Sequence, residues 1–150
     1  MNPELVQRLS AAVGPAQVRA GAAELDLYRR DASNISGSAG GGGFPPTTEE
    51  VRQCVLACAE FAQPFVARGS GTGLSGGATP LDGAVVIALT KMNAVLSVDP
   101  MNRSAWVQPG VLNLDLSRAV AAYGLHFAPD PSSQQSCSIG GNVANNAGGP

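Results

Sequence analysis

Arg68-Gly69-Ser70-Gly71-Thr72-Gly73-Leu74-Ser75-Gly76-Gly77 carries five glycines in ten positions. Glycine permits positive φ and lets another group touch the backbone, so successive N–H groups can converge on an anion. Ser70, Thr72 and Ser75 add hydroxyl donors, and Arg68 is the one charged residue of the stretch. An arbitrary Gly/Ser run is usually a floppy surface loop. This one directly follows the apolar Phe65-Val66-Ala67, which reads as a short buried strand, and leads, after a few turn residues, into the apolar run Ala84–Leu89. Both ends are therefore anchored by strands, the second with the continuous apolar pattern of a strand covered on both faces. That anchoring favours an anion-binding loop. Arg68 pairs either with the anion or with a neighbouring carboxylate.

Two familiar phosphate loops are excluded by the same stretch. Gly71-x-Gly73-x-x-Gly76 matches the spacing of a dinucleotide-binding turn, and Asp99 lies downstream as its acidic residue would. That turn needs a helix immediately after the glycines, its N-terminus facing the pyrophosphate. Here Pro80 and Gly83 interrupt the short segment before the next strand, and no crossover helix fits. A P-loop needs Gly-Lys-Ser/Thr at its end, and this loop ends in Gly76-Gly77-Ala78.

Outward from the loop, the spacing predicts a helix over Glu4–Val13, with Leu5, Val6, Leu9, Ala12 and Val13 on one face and Gly14-Pro15 as its stop. Ala22–Arg30 is a shorter helical pattern. Ser33–Gly43, with four consecutive glycines at its end, reads as a flexible loop or linker by composition. Thr47-Thr48-Glu49-Glu50 fits a capping box, and Val51, Val55, Ala59 and Ala62 are expected to form the buried stripe of the helix that follows. Val95–Val98 and Ala105–Val107 read as strands joined by a turn over Asp99–Arg103, and Leu112–Ala122 as a helix ended by Gly124. Beyond Pro129 the chain is dominated by Ser, Gly and Asn. The expected division is a helical segment with a Gly-rich linker over residues 1–46, then a ligand-binding domain over 47–150. The fold class is α+β.

A second small-residue constellation comprises Pro129, Asp130, Pro131, Ser132 and Ser133, then Ile139, Gly140, Gly141, Asn142, Val143, Ala144, Asn145, Asn146, Ala147 and Gly148. Alone it would be a turn-rich connection. Two such segments far apart in sequence suggest two walls of one extended ligand site.

These segments, taken in order with Gln108-Pro109-Gly110-Val111 between them, resemble the FAD-binding domain of the FAD-linked oxidases, the vanillyl-alcohol-oxidase-like flavoproteins with a PCMH-type domain. Within that family the pattern resembles the glycolate oxidase subunit and D-lactate dehydrogenase branch. The likeness runs from about Thr47 to Pro150. It implies a small parallel sheet with flanking helices, leading into a second, mostly antiparallel sheet. It implies that Arg68–Gly77 wraps the FAD diphosphate, and that Pro129–Ser133 and Ile139–Gly148, with Asn142 and Asn145, line the rest of the cofactor. Thr72 stands where many relatives have a flavin-linked histidine, so the FAD is expected to be held non-covalently. Relatives have a short apolar strand before the Pro-x-Thr/Ser-Thr-Glu-Glu-Val motif; this sequence has Gly40–Gly43 and Phe44 there. The family continues into a substrate domain, so a 2-hydroxyacid substrate of glycolate or D-lactate type, with a quinone, cytochrome or partner subunit as acceptor, would be met only through that further domain. The alternative is a catalytically silent truncated fragment, or a flavin-binding or assembly module without turnover.

The remaining signals are bland. The net charge of −2 gives no footprint for nucleic acid. No apolar run reaches the length of a membrane span, and the N-terminus lacks a secretory signal. Three cysteines cannot all pair, which suggests the cytoplasm, with peripheral membrane association compatible. Cys54 and Cys58, four apart on one helix face, read as buried packing residues before half a metal site. Cys137 reads as inert, and His126, the only histidine, as a solvent-facing turn residue. No catalytic acid–base pair and no metal site are identifiable.

Overall fold

The computed structural model describes residues 1–150. Helix α1 (Pro3–Val13) is capped by Asn2, whose side chain accepts the Glu4 N–H, and it buries Leu5, Leu9 and Val13. After a 3-10 turn at Pro15–Gln17 come a two-residue strand β1 (Val18–Arg19), a short helix α2 (Ala22–Asp26) and strand β2 (Gly41–Gly43). Helix α3 (Thr48–Glu60) starts where the capping box predicts, with the Glu50 N–H donating to the Thr47 hydroxyl oxygen at 3.3 Å. Its carboxylate partner departs from the expected reciprocity: Glu50 accepts from the Thr47 hydroxyl rather than from the Thr47 N–H.

Strands β3 (Phe65–Arg68) and β4 (Val85–Ala88) complete a four-stranded sheet of order β1-β2-β4-β3. Both β2 and β3 run parallel to β4, and β1 closes the edge antiparallel. Alternation along β4 explains why all four of its residues are buried. Val85 and Ile87 face Leu5, Leu9 and Val13 of α1 with Cys54, Ala57 and Cys58 of α3. Val86 and Ala88 face Phe44, Tyr28 and Val66 on the opposite side. Full burial of a side chain such as Leu5 or Leu9 stabilises by roughly 1.5–3 kcal/mol. Adjacent parallel strands normally need a helical crossover. Here residues 69–84 form only bends and turns between β3 and β4, as the rejection of a dinucleotide-binding helix requires.

A hairpin of β5 (Val95–Asp99) and β6 (Ser104–Val107) forms the second sheet, with an irregular register between Val95 and Ser97. Helix α4 (Asn113–Val120) runs into a 3-10 turn that Gly124 ends at φ +68°. Val111, Leu116, Val120 and Ile139 pack there against Val98, Ala105 and Val107 of the hairpin. The architecture is the expected α+β one: a mostly parallel sheet with flanking helices, then an antiparallel pair.

Four local expectations are corrected. Gly41–Gly43 is not a flexible linker but a fully buried strand between β1 and β4. Glycine is needed at the entry to the strand, where a Cβ on Gly40 would lie 2.0 Å from the Gly83 carbonyl oxygen. The buried stripe of α3 is Cys54, Ala57 and Cys58 rather than Val51, Val55, Ala59 and Ala62, because the cysteines behave as small apolar residues. Phe65 heads an edge strand and is 45% exposed rather than buried. Finally, the segment read as a continuous loop after Pro129 contains a short helix α5 (Ile139–Ala144), capped by the Ser138 hydroxyl accepting from the Gly141 N–H.

Candidate cofactor-binding site

Strand β3 delivers the chain into the glycine loop at Arg68, and the loop rejoins the fold at Ala78–Pro80. None of the backbone N–H groups from Gly69 to Gly77 donates a hydrogen bond within the chain, and neither do the hydroxyls of Ser70, Thr72 and Ser75. Backbone N–H groups in a folded protein are almost all paired, so a consecutive run without protein partners is a set of donors available to something else. At Gly71 the backbone has φ +74°, and a Cβ there would lie 2.2 Å from Nη2 of Arg68. Both the conformation and the space demand glycine.

The two glycine-rich segments meet. A Cβ on Gly69 would lie 2.4 Å from Oγ of Ser138, and one on Gly73 would lie 3.0 Å from Nδ2 of Asn145. Ser138 and Asn145 are the residues that begin and end α5, so this helix lies along the loop. The Pro129–Ser133 segment is tied in behind: the Asp130 N–H donates to the Gly148 carbonyl at 2.9 Å, and Asn113 Nδ2 donates to the Pro129 carbonyl at 2.8 Å. A cleft of about 260 Å³ opens beside the loop, lined by Ser70, Thr90, Asn93, Gly110 and Asp115 among others.

The named residues do not all face that cleft. Arg68 is 8% exposed, and its guanidinium is turned inward, donating to the carbonyls of Ala78 (3.1 Å) and Arg30 (3.0 Å) under the Tyr28 ring. Asn142 is buried and accepts from Asn113 Nδ2 at 3.0 Å, while donating to the Cys137 sulfur at 3.3 Å. Ile139 belongs to the apolar core beneath α4. Leu74, Ser75, Ser132, Asn145 and Gly148 are exposed; Thr72, Gly73, Pro129, Pro131, Ser133, Gly140, Gly141 and Ala147 are half-buried. Three participants escaped the sequence reading. Tyr28 lies within the short helical pattern of Ala22–Arg30 and Asp31 directly after it, and nothing there points forward to a loop forty residues on. Asn113 is 1% exposed and leaves its Oδ1 without a hydrogen-bond partner, a polar atom buried against the second wall.

Burial lowers the Arg68 guanidinium, with Asp31 and then Tyr28 acting against it. Burial alone would raise the Asp31 carboxyl, but hydrogen bonds from Ser33 and Ala78 and the charge of Arg68 outweigh it and hold the group below its ordinary value. The two charges do not touch; they hold Ala78 from its two sides, Arg68 donating to its C=O and Asp31 accepting from its N–H at 3.4 Å.

A larger cavity of about 590 Å³ lies elsewhere, lined by Val98, Ala105, Val107, Leu116 and Val120, with Arg103 and the exposed His126 at its rim. No residue of the glycine loop lines it. No helix is long and apolar enough to cross a membrane, and no three His, Cys, Asp or Glu side chains cluster as metal ligands would.

The sequence family described as FAD binding domain matches residues 43–150. The glycolate oxidase subunit GlcD of Escherichia coli (strain K12) is 51% identical over 106 residues, covering 71% of this chain and 21% of that protein. The D-lactate dehydrogenase of Anaerostipes hadrus is 36% identical over 151 residues, covering 99% of this chain and 31% of that protein. Among solved structures, an alkyldihydroxyacetonephosphate synthase superposes with a TM-score of 0.88 at 23% identity, covering 99% of this chain and 33% of that one, which shows the shared fold. The chain thus spans about a fifth to a third of the length of the curated relatives it matches. FAD is the cofactor of this domain, and the donor set fits it: a free run of backbone N–H groups suits a diphosphate, and small-residue walls suit a long flat ligand.

Proposed function

This chain belongs to the FAD binding domain family, and from that premise we propose that it holds the FAD of an oxidoreductase acting on a D-2-hydroxyacid or glycolate. The observation that carries the reading is the run of unpaired N–H groups from Gly69 to Gly77, in a loop that packs at Gly69 and Gly73 against the two caps of α5, Ser138 and Asn145. Those N–H groups hold the diphosphate, with the Ser70, Thr72 and Ser75 hydroxyls as further donors. Pro129–Ser133 and Ile139–Gly148 flank the remainder of the cofactor. Thr72 has no nucleophilic nitrogen, so the attachment is non-covalent. When bound, FAD supplies the two-electron acceptor for the oxidation. The residues of this chain contribute position and exclusion of water, and they carry no carboxylate-gripping arginine in the cleft.

The substrate class rests on the relatives named as a glycolate oxidase subunit and a D-lactate dehydrogenase, of which these residues match about a fifth to a third. The word subunit in the first of those names supports partner subunits as the electron acceptor or its bridge. Three buried, unpaired cysteines support a reducing, cytoplasmic setting. A second reading, a flavin-holding module without turnover, is favoured by the exposure of the only histidine, His126.

The test is uptake of FAD by the purified chain. Saturable binding with visible flavin absorbance is expected, and Gly71→Val should weaken it at least tenfold, because a β-branched residue at φ +74° costs roughly 1–3 kcal/mol and collides with Arg68. A colourless chain that takes up no added FAD would overturn the reading.

A further inference from the structure

The glycine loop is braced from behind by residues that precede the family match. Arg68 opens the loop and its guanidinium reaches across to the Ala78 carbonyl at the loop's far end, 3.1 Å away. The same guanidinium donates to the Arg30 carbonyl at 3.0 Å and lies 5.6 Å from the centroid of the Tyr28 ring. Asp31, 7% exposed, takes the Ala78 N–H through Oδ2, while its own N–H donates to Thr79 Oγ1. One residue on, the Ala32 N–H donates to the Gly73 carbonyl at 3.1 Å, in the middle of the loop. Ile35 meets Gly76 so closely that a Cβ there would lie 2.6 Å from its Cδ1.

From this geometry we infer that Arg68 is a positioning residue rather than a phosphate ligand, and that Tyr28, Asp31 and Arg68 together form a brace that sets the loop's N–H groups for the FAD diphosphate. The inference rests on the reading that this loop binds FAD. The physical argument is orientation. A carbonyl engaged from behind points its peptide one way, so bonds from Arg68 to Ala78 and from Ala32 to Gly73 turn those C=O groups inward. The Gly73 carbonyl shares its peptide with the Leu74 N–H, which has no partner in the chain and is held on the opposite side. At the loop's far end the Ala78 and Thr79 N–H groups are themselves fixed on Asp31 and the Gly76 carbonyl, so the free N–H groups before them start from an anchored end. A flexible Gly-rich chain would otherwise lose this convergence to conformational entropy. A guanidinium suits the task because its rigid planar fork donates in two fixed directions while it lies over an aromatic face, whereas an ammonium on a flexible stem holds no such fixed geometry.

The brace and a direct phosphate contact predict opposite results for two conservative variants. As a phosphate ligand, Arg68 would be replaced tolerably by lysine, and Asp31→Asn would leave FAD affinity unchanged or tighten it by removing a competing negative charge. As a brace, Arg68→Lys should weaken FAD binding about tenfold or more and Asp31→Asn about fivefold or more, measured by flavin fluorescence titration of the 150-residue chain. In the chain without FAD, the Ala32, Ala78 and Thr79 amides should exchange with deuterium about tenfold faster in both variants, while the Val86 and Ile87 amides of β4 keep their wild-type rates. Arg68→Lys within twofold of wild type, or Asp31→Asn binding as tightly as wild type, would sink the brace. If Arg68→Lys does not fold, the isosteric Asp31→Asn alone decides. Failure of the wild-type chain to bind FAD overturns the loop's assignment, whereas unchanged amide exchange overturns the brace whatever the cofactor result.

Discussion

At the scale of single residues, the clearest division is between side chains spent on the interior and groups left over for a ligand. Cys54 and Cys58 belong to the first kind. Burial pushes both thiols up from an ordinary 9.0 to about 11, and for Cys54 the nearby Cys58 and Glu50 add to it against Arg8. In the unfolded chain these thiols ionise near 9.0, whereas the folded chain holds its protons to about 11. Their contribution to stability is therefore complete below about pH 9 and is lost as pH rises through 11. The thermal midpoint should fall across that window, and the Cys54→Ala/Cys58→Ala variant should fall less steeply; a variant that tracks wild type would remove the thiols as the cause. The apolar spacing of α3 suggested a different buried stripe because valine outranks cysteine in hydropathy. In the fold, the surface available beneath β4 suits the smaller side chains.

At the scale of elements, β2 is the instructive case. Three glycines in a row carry no hydrophobic signal, and strand propensity argues against them. They form a strand because their backbones pair with β1 and β4, and the Gly40 that leads into them must pass close to the Gly83 carbonyl. Gly40→Ala should destabilise the chain by about 1–3 kcal/mol, since the obstructing atom is backbone and cannot yield. Gly43 makes the matching control, because a Cβ there would sit 3.5 Å from the Cys54 sulfur, an ordinary contact. Gly43→Ala should be neutral or gain up to about 1 kcal/mol from reduced backbone entropy. Urea unfolding of the two variants checks both; equal losses would mean that the close approach of Gly40 to the Gly83 carbonyl does not set the requirement for glycine.

At the scale of the whole molecule, two consequences follow from the layout of cores and cleft. Binding to the folded state alone stabilises it, by about 2.7 kcal/mol at free ligand a hundred times Kd. For a chain of this size that is a rise of about 5–11 °C in Tm on adding FAD, measurable by thermal melting, and no shift at saturating FAD would contradict a folded-state cradle. The second consequence concerns the hairpin, whose outer face shows Trp106 at 76% and Leu96 at 62% exposure, with Met101 at 92% in its turn. Apolar surface of this kind on a two-stranded sheet with unpaired edges promotes association. Light scattering of the chain should rise with concentration, and Leu96→Lys with Trp106→Gln should suppress the rise without altering FAD affinity.

Elements with a local signal are legible in the amino-acid sequence. The capping box started α3, and the apolar run of β4 required cover on both faces. The interrupted segment after Gly77 ruled out a crossover helix. The amino-acid sequence also located both glycine-rich walls, since backbone exposure by glycine is written into composition. What only the tertiary structure decided is which groups meet: that Gly69 and Gly73 lie against Ser138 and Asn145, and that Gly41–Gly43 is a core strand. Arg68 facing Tyr28 and Asp31 instead of the cleft belongs with these. The physical reason is common to all three. Close approach of two backbones, or burial of one charge beside another, is a property of pairs distant in the chain, and neither partner carries a mark of the other until the sheet brings them together.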